Sequence, residues 1–282
     1  MDQSNEPIIP HVIIPCAGSG TRFKEQGYQV DKPLIPVGGR RMLDWVLDVI
    51  PDVWRNRVIT VVRDNQSRLR DELWDWDHGS SVGVKTCIIP GSTQGAACTV
   101  LAAAVGLPPD EPVLIMNADQ FVKVGTHKML WAVLADNVRG ARHMPDKEIY
   151  DDVTGLDGLC KYAFYRWDGF MLTFPGTGPA WSYAVTNGEN RVVHVIEKKQ
   201  VSEHATCGIY FWRKASDLVR SICMMVASHD TTKGEYYLAP SLNHLPLADK
   251  DVRIVQVEEF YGLGTPEQVK AFEAKLAEGW RP

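Results

Sequence analysis

The sequence lacks the features that define several specialised classes of protein. Its six cysteines, at positions 16, 87, 98, 160, 207 and 223, form no CxxC pair and have no regular spacing. We therefore expect reduced, buried thiols, as in cytoplasmic proteins. The eight histidines show no metal-ligand spacing either, which predicts ordinary core or surface positions.

Long apolar runs and excess positive charge are also missing. No apolar run approaches the length of a membrane span, and residues 1–7 lack both the basic and the apolar part of a signal peptide. The formal net charge is −5, so no basic face for nucleic acid or an anionic membrane is predicted. These absences predict a cytoplasmic protein whose partners include neither nucleic acid nor a membrane. A homo-oligomer is possible, as for soluble enzymes in general.

What the sequence does contain is an alternation of β-rich and helical segments. Its first half predicts strands at 9–15, 57–62, 84–89 and 112–117, separated by helices at 41–50, 65–76 and 95–106. This rhythm predicts an α/β fold with a doubly wound, mainly parallel, Rossmann-like sheet. The second half predicts strands at 170–174, 181–185, 191–196, 206–212 and 252–257, and helices at 214–227, 235–245 and 265–278.

A glycine-rich turn follows the first predicted strand. Residues 12–33 read VIIPCAGSGTRFKEQGYQVDKP, so an apolar run ends in a GSG turn, an arginine follows, and a Lys-Pro pair comes ten residues later. Such glycines let the backbone bend sharply and turn its N–H groups towards a polyphosphate. A dinucleotide fingerprint would need a third glycine where Phe23 stands, and a P-loop would need Gly-Lys-Ser/Thr. The segment thus predicts a different kind of phosphate loop.

The GxGTRF pattern with its downstream Lys-Pro resembles the nucleotidyltransferases that join an NTP to a sugar 1-phosphate or a similar phosphorylated metabolite and release pyrophosphate. It looks closest to the shorter forms of capsule and surface-polysaccharide pathways, which include cytidylyltransferases. The resemblance implies a glycosyltransferase A-type sheet with a smaller acceptor-binding α+β portion. It also implies one domain, with a nucleotide-binding half over 1–135 and an acceptor-binding half over 169–282. Periodicity lapses over 136–168, which predicts an insertion or flap, or a plain surface excursion.

Nucleotidyl transfer needs anions held in line and neutralised, and no general base, because a phosphate monoester with a second pKa of about 6 is already largely dianionic. The resemblance implies that Arg22 binds the β,γ-phosphates and stabilises departing pyrophosphate, and that Lys32 bridges the phosphates of both substrates. The alternatives are an exposed surface arginine and a solvated loop lysine. The backbone of the turn would bind the nucleotide through Ala17, Gly18, Ser19, Gly20 and Thr21.

A carboxylate and a second glycine turn complete the predicted nucleotide site. Asp119 ends an apolar run at the predicted carboxyl edge of the sheet, and the resemblance implies that it binds Mg²⁺, the expected cofactor. Its alternative is a helix N-cap. Gln94 and Gly95 lie at a strand-to-helix junction where the resembled family holds the base, although a Gly-Ala-Ala helix start is also ordinary close packing. The nucleobase is not predicted.

The acceptor side is predicted from the second half of the chain. By resemblance, Glu197 would accept hydrogen bonds from acceptor hydroxyls or an amine, and Lys198 would hold the acceptor phosphate. Without the resemblance, the pair reads as a surface ion pair at a strand end. The backbone at Gly208 would pass close to the acceptor. Trp181 would stack on it or belong to the core.

One position departs from the resembled family. Many relatives carry an aspartate, the second metal ligand, where this chain has Gly262. Three explanations are open: one carboxylate with phosphates and waters suffices, Glu258 or Glu259 supplies the missing oxygen, or the site is weakened or noncatalytic.

The leading prediction is a Mg²⁺-dependent nucleotidyltransferase that forms an NDP-sugar for surface polysaccharide synthesis. A first alternative is a cytidylyltransferase acting on a nonsugar phosphorylated metabolite. A glycosyltransferase of related fold would usually offer a DxD-like metal pair, of which the segment 117–119 has only the last member. A noncatalytic nucleotide-binding protein is the remaining alternative, motivated by Gly262.

Overall fold

The computed structural model describes residues 9–79, 84–125 and 155–281. Their strands are β1 His11–Pro15, β2 Pro36–Val37, β3 Arg40–Arg41, β4 Val58–Arg63, β5 Lys85–Ile89, β6 Val113–Met116, β7 Gln120–Lys123, β8 Gly169–Pro175, β9 Ser182–Thr186, β10 Val192–Glu197, β11 His204–Trp212, β12 Val252–Gln256 and β13 Glu259–Gly262.

Helices cover both faces of the sheet that these strands form. They are α1 Thr21–Lys24, α2 Met42–Leu47, α3 Ser67–Gly79, α4 Ala96–Ala104, α5 Gly155–Arg166, α6 Ala215–Ala227 and α7 Pro266–Ala277. Short 3₁₀ helices occur at Lys32–Leu34, Asp52–Arg57 and Ala239–His244. Among the described residues, no helix has both the length and the apolar character to span a bilayer.

The central sheet has the strand order β10-β9-β11-β6-β1-β4-β5, and β8 joins β11 to β12. Strands β6, β1, β4 and β5 run parallel, whereas β11 is antiparallel to β6, β8 and β9. The first half is therefore a parallel α/β sheet, and the second half adds an antiparallel portion. The predicted fold class is confirmed.

Alternation along β1 shows how the sheet is sandwiched. Val12 and Ile14 pack into a core with side chains of α2, α3 and α5, while Ile13 packs on the opposite face with α4 and α6. All three side chains are fully buried, as expected for a central parallel strand covered on both faces. A third, aromatic cluster joins α1, α2, β7 and α7 around Trp45 and Phe272, whose rings meet edge to face at 5.0 Å.

Two local predictions were wrong. The expected lapse of periodicity does not hold over Gly155–Arg166, which is helix α5, because Leu156, Leu159, Cys160 and Ala163 share one buried face. The rest of the predicted insertion, 136–154, lies outside the described residues. The helix predicted over 235–245 is only the 3₁₀ helix Ala239–His244.

Candidate active site

The glycine turn lies at the carboxyl end of β1. The N–H of Cys16 donates to the carbonyl of Val61 at 2.8 Å, which fixes the chain as it leaves the sheet. Gly20 has the left-handed φ of 64° and precedes α1. A Cβ at Gly20 would lie 3.3 Å from the Cβ of Lys32, so the turn packs directly against the Lys-Pro segment. The two halves of the phosphate-binding motif are therefore neighbours in the fold.

Gln66, which no sequence motif indicates, connects these segments through hydrogen bonds. Its side chain is almost fully buried, and its amide Nε2 donates to the carbonyl of Cys16 and to Asp31 Oδ1, both at 3.2 Å. The amide Oε1 accepts from the N–H of Arg63 at 2.7 Å. A glutamine after an apolar strand is too common a pattern to predict this role. Its network fixes the backbone on both sides of the site.

Lys32 and Asp119 face each other and form an ion pair. Asp119 is followed by strand β7, not by a helix, so the N-cap alternative is wrong. Lys32 is not a solvated loop lysine either, because its Nζ contacts the carboxylate and only 21% of its side chain is exposed. Both charged groups therefore lie at the carboxyl edge of the sheet, where the strand order predicts a ligand site.

Gly208 lies in a bulge of β11 beside this edge. Its φ is 78°, and its carbonyl accepts from the N–H of Asn117 at 2.9 Å. A Cβ there would overlap with the side-chain amides of Asn117 and Gln120. Only glycine fits between these groups, which brings the β11 backbone close to the segment carrying Asp119.

The predicted acceptor residues occupy neighbouring strands. The carboxylate of Glu197 accepts from Ser182 Oγ across the β9–β10 pair, and Lys198 donates its backbone N–H to the carbonyl of Trp181 at 2.9 Å. The Glu197 side chain is only 4% exposed, so the surface ion-pair alternative is wrong. Burial raises the pKa of Glu197, partly offset by Ser182 and by Lys198.

Tyr237 and Glu235 are further residues of this region that sequence reasoning missed. The Lys198 ammonium lies 4.4 Å from the centre of the Tyr237 ring, within cation–π range. Burial and the adjacent Glu235 carboxylate raise the pKa of Tyr237. The segment around these residues reads GEYY and matches none of the motifs described above, so no sequence signal indicates them.

These groups line one pocket of about 550 Å³. Eleven of the residues predicted for the site line it together: Gly18, Ser19, Gly20, Thr21, Arg22, Lys32, Asp119, Trp181, Glu197, Lys198 and Gly208. Its charged lining comprises three cations, Arg22, Lys32 and Lys198, and three carboxylates, Asp119, Glu197 and Glu235. The pocket therefore presents charged groups of both signs.

Three predicted nucleotide contacts are not among the lining residues. Ala17 is buried behind the turn, and Gln94 is exposed. A Cβ at Gly95 would overlap with the backbone of Tyr236, whose N–H donates to the Gln94 carbonyl at 2.8 Å. Close packing therefore accounts for Gly95. A nucleobase contact at Gln94 or Gly95 stays a prediction.

The acidic pair proposed to replace the missing carboxylate lies elsewhere. Glu258 and Glu259 contact Lys123 at 3.0 and 3.6 Å, and Glu259 also accepts from Tyr261 and Trp280. Neither glutamate lines the pocket. Alternation along β13 explains this for Glu259, because Phe260 and Gly262 line the pocket whereas Tyr261 packs in the aromatic cluster. The structure brings neither glutamate to Asp119.

A divalent cation would find few protein ligands here. No cluster of three or more His, Cys, Asp or Glu suitable for a metal ion occurs in the described ranges. The pocket does offer hard oxygens, from the Asp119 carboxylate and the amide of Gln268. This donor set fits a cation such as Mg²⁺, which commonly takes one or two carboxylates and completes its shell with waters and substrate phosphates.

A parallel α/β sheet with a glycine turn, three cations and a carboxylate at its carboxyl edge is the arrangement of an NTP-using transferase. Residues 12–150 match the family model of the MobA-like NTP transferase domain. This match confirms the predicted resemblance to the nucleotidyltransferases and the predicted enzyme class.

Curated relatives are similar over most of the chain. The chain is 25% identical over 232 residues to the bifunctional protein GlmU of Hyphomonas neptunium, covering 80% of this chain and 42% of that protein. It spans about half the length of the curated relatives it matches.

Two solved structures share the fold. The nucleoside-diphosphate-sugar pyrophosphorylase of Vibrio cholerae RC9 superimposes with a TM-score of 0.71 at 20% identity, covering 93% of this chain and 99% of that one. The inositol-1-phosphate CTP transferase of T. maritima gives a TM-score of 0.63 at 12% identity, covering 98% and 99%. At identities of 20% and 12%, these two matches show a shared fold and nothing more.

Proposed function

We propose that this protein transfers the nucleoside monophosphate group of an NTP to the phosphate of a sugar 1-phosphate, with a divalent cation, and releases pyrophosphate. The observation that carries the proposal is the single pocket that joins Arg22, Lys32 and Asp119 to Glu197 and Lys198. A triphosphate at the glycine turn and a phosphorylated acceptor at Lys198 would meet between these two sets of residues.

The reaction balances without a general base. A phosphate oxygen of the acceptor forms a bond to the α-phosphorus, the bond from that phosphorus to the bridging oxygen breaks, and the electron pair leaves with pyrophosphate. Arg22 and the N–H groups of the turn hold the leaving phosphates. Lys32 and Lys198 screen the repulsion between the two anions, which otherwise opposes their approach.

A bound Mg²⁺ would neutralise charge that develops on the phosphates. Asp119 is the carboxylate that would hold it. Lys32 in turn orients the Asp119 carboxylate, because the two are already paired. On the acceptor side, Glu197 and Ser182 present a buried hydrogen-bonding pair for a hydroxyl group.

A nonsugar phosphorylated acceptor is the second candidate. Trp181 and Phe260 line the pocket and meet edge to face at 5.4 Å, beside the carboxylates of Glu197 and Glu235. Aromatic faces with carboxylates suit an acceptor that bears an amine or ammonium group as well as they suit a sugar ring. By the resemblance of its motifs, we assign the product to surface polysaccharide synthesis and the reaction to the cytoplasm, where a homo-oligomer is possible.

The test is pyrophosphate release. The protein is incubated with Mg²⁺, each of CTP, UTP, dTTP, ATP and GTP, and a panel of sugar 1-phosphates, phosphocholine and phosphorylated amino acids. We expect release with at least one pair, abolished by Arg22→Ala and kept by Arg68→Ala, since Arg68 is an exposed arginine of α3 outside the pocket. A thermal-shift screen with the same NTPs identifies the base, because a ligand of the native state raises its Tm.

The alternatives give different results in the same assay. Folded protein that binds an NTP but releases no pyrophosphate with any acceptor would support a noncatalytic nucleotide-binding protein. Transfer or hydrolysis of an NDP-sugar without pyrophosphate dependence would support a glycosyltransferase. Either result contradicts the proposal.

A further inference from the structure

The space beside Gly262 is already filled by another polar side chain. A Cβ at Gly262 would lie 2.8 Å from Gln268 Nε2 and 3.3 Å from Trp181 Cη2. The φ of Gly262 is not in the left-handed region, so the backbone itself does not require glycine there. The absence of a side chain at 262 therefore makes room for the amide of Gln268.

Gln268 is held in place by the start of α7 while its amide stays free. Thr265 caps this helix, and its Oγ1 accepts from the N–H of Gln268 at 3.3 Å. Within the described part of the chain, the side-chain amide of Gln268 has no hydrogen-bond partner, although the residue is half-buried and lines the pocket. A polar group that is ordered without a partner is available to a ligand.

A second glycine brings this amide next to Asp119. A Cβ at Gly264 would lie 3.0 Å from Asp119 Oδ2 and 3.3 Å from Gln268 Oε1, so both oxygens lie close to Gly264. The segment is locked there, because the N–H of Leu263 donates to the Asp119 carbonyl at 2.7 Å. Carboxylate and amide oxygens are the ligands that hard cations prefer.

We propose that Gln268 supplies the second protein oxygen to the divalent cation, in place of the carboxylate that Gly262 lacks. The chain then holds its metal with one charged and one neutral ligand, from two different elements of the fold. This inference rests on the proposed nucleotidyl transfer for the need for a cation, while its geometry is independent of it. With one carboxylate, the site depends more strongly on substrate phosphates to complete the metal shell.

Terbium luminescence tests the site without any nucleotide. Tb³⁺ is a hard, oxygen-seeking cation that a nearby tryptophan sensitises, and Trp181 touches the same space as Gln268. We expect a saturable signal that Trp181→Phe removes and Mg²⁺ competes away. Gln268→Ala should weaken Tb³⁺ affinity about tenfold, Gln268→Glu should restore or strengthen it, and Asp119→Asn should abolish it. The matched control is Gln256→Ala. Gln256 is an exposed glutamine at the end of β12, and its replacement should leave the Tb³⁺ affinity unchanged.

The outcomes separate this inference from the proposed function. Equal Tb³⁺ affinity of wild type and Gln268→Ala, or no Trp181-dependent signal in wild type, overturns the role of Gln268 even where pyrophosphate release is observed. Conversely, a tenfold loss of affinity in a protein that releases no pyrophosphate would leave the metal site standing and reject the transferase. Circular dichroism of each variant shows that the comparison is made between folded proteins.

Discussion

Lys32 and Asp119, which are 87 residues apart in the chain, meet as an ion pair at the carboxyl edge of the sheet. One comes from the Lys-Pro turn and the other follows β6, a direct neighbour of β1. Their contact shows that the site holds its charges in position before any substrate arrives. Preorganised charges stabilise a transition state without a cost of reorganisation during the reaction.

Loss of either partner is therefore expected to affect turnover more than folding. Lys32→Ala and Asp119→Asn should each lower the rate of pyrophosphate release by about 100-fold or more, the usual effect of removing one group that stabilises developing charge. Lys24→Ala, on the exposed side of α1, is the control and should keep the wild-type rate. Near-normal rates in both site variants would exclude these roles.

Gly95 gives a prediction about stability. Its φ is 139°, and a Cβ would lie 2.7 Å from the Tyr236 nitrogen. Gly95→Ala should lower the free energy of unfolding by about 3 kcal/mol, because the strain at this φ and the overlap of the new Cβ with the Tyr236 backbone add. Differential scanning calorimetry should show a Tm lowered by roughly 6–12 °C for a chain of this size. Gly188→Ala, where nothing lies within 4 Å of the new Cβ, should leave the Tm near that of wild type, and equal Tm values for both variants would contradict the packing role.

Local sequence patterns were sufficient to predict the parallel half of the fold and the phosphate loop. Apolar runs identify β1, β4, β5 and β6, and the doubly wound order places their carboxyl ends together. That rule alone predicts that the GSG turn and Asp119 lie at one edge, as the structure shows. The pairing of Lys32 with Asp119 follows from no local pattern, because it depends on how a loop folds back over the sheet.

Contacts between distant segments account for what the sequence did not reveal. Gln66 acts through three backbone and side-chain partners, and Tyr237 acquires its environment from Lys198 and Glu235. Strands β7 and β13 are far apart in the chain but pair with each other. The alternation of side chains along β13 directs Glu259 away from the pocket, towards Trp280. Replacement of the missing carboxylate by Glu259 was therefore a reasonable hypothesis from sequence proximity but not from strand geometry, and Glu258 is paired with Lys123 instead.

The titration of Glu197 should contribute to the pH dependence of the free energy of unfolding. Burial raises the pKa of this carboxyl in the folded protein above its ordinary value near 4.5. The native state then holds the proton more tightly than the unfolded state, so the stabilisation from this group is complete below pH 4.5 and is lost as pH rises through the folded pKa.

In Glu197→Gln the side-chain amide stays neutral at every pH, so this loss of stability with rising pH should disappear. The variant's free energy of unfolding in urea, measured in steps from pH 4.5 to 8, should fall less with rising pH than that of wild type. Parallel curves for the two proteins would contradict a raised pKa at this position. The same variant should weaken acceptor binding, seen as a higher KM for the acceptor at unchanged KM for the NTP.

Gly262 and Gln268 should behave as a coupled pair. In wild type, we expect Gln268→Ala to raise the Mg²⁺ concentration for half-maximal pyrophosphate release about tenfold. Gly262→Asp places a carboxylate in the space of the Gln268 amide, whose flexible side chain can move aside. In that background the second substitution, Gln268→Ala, should change the Mg²⁺ requirement less than about twofold, because the new carboxylate has taken over as ligand. A double-mutant cycle over the four proteins measures the coupling, and additive effects of the two substitutions would show that the residues do not share a ligand position.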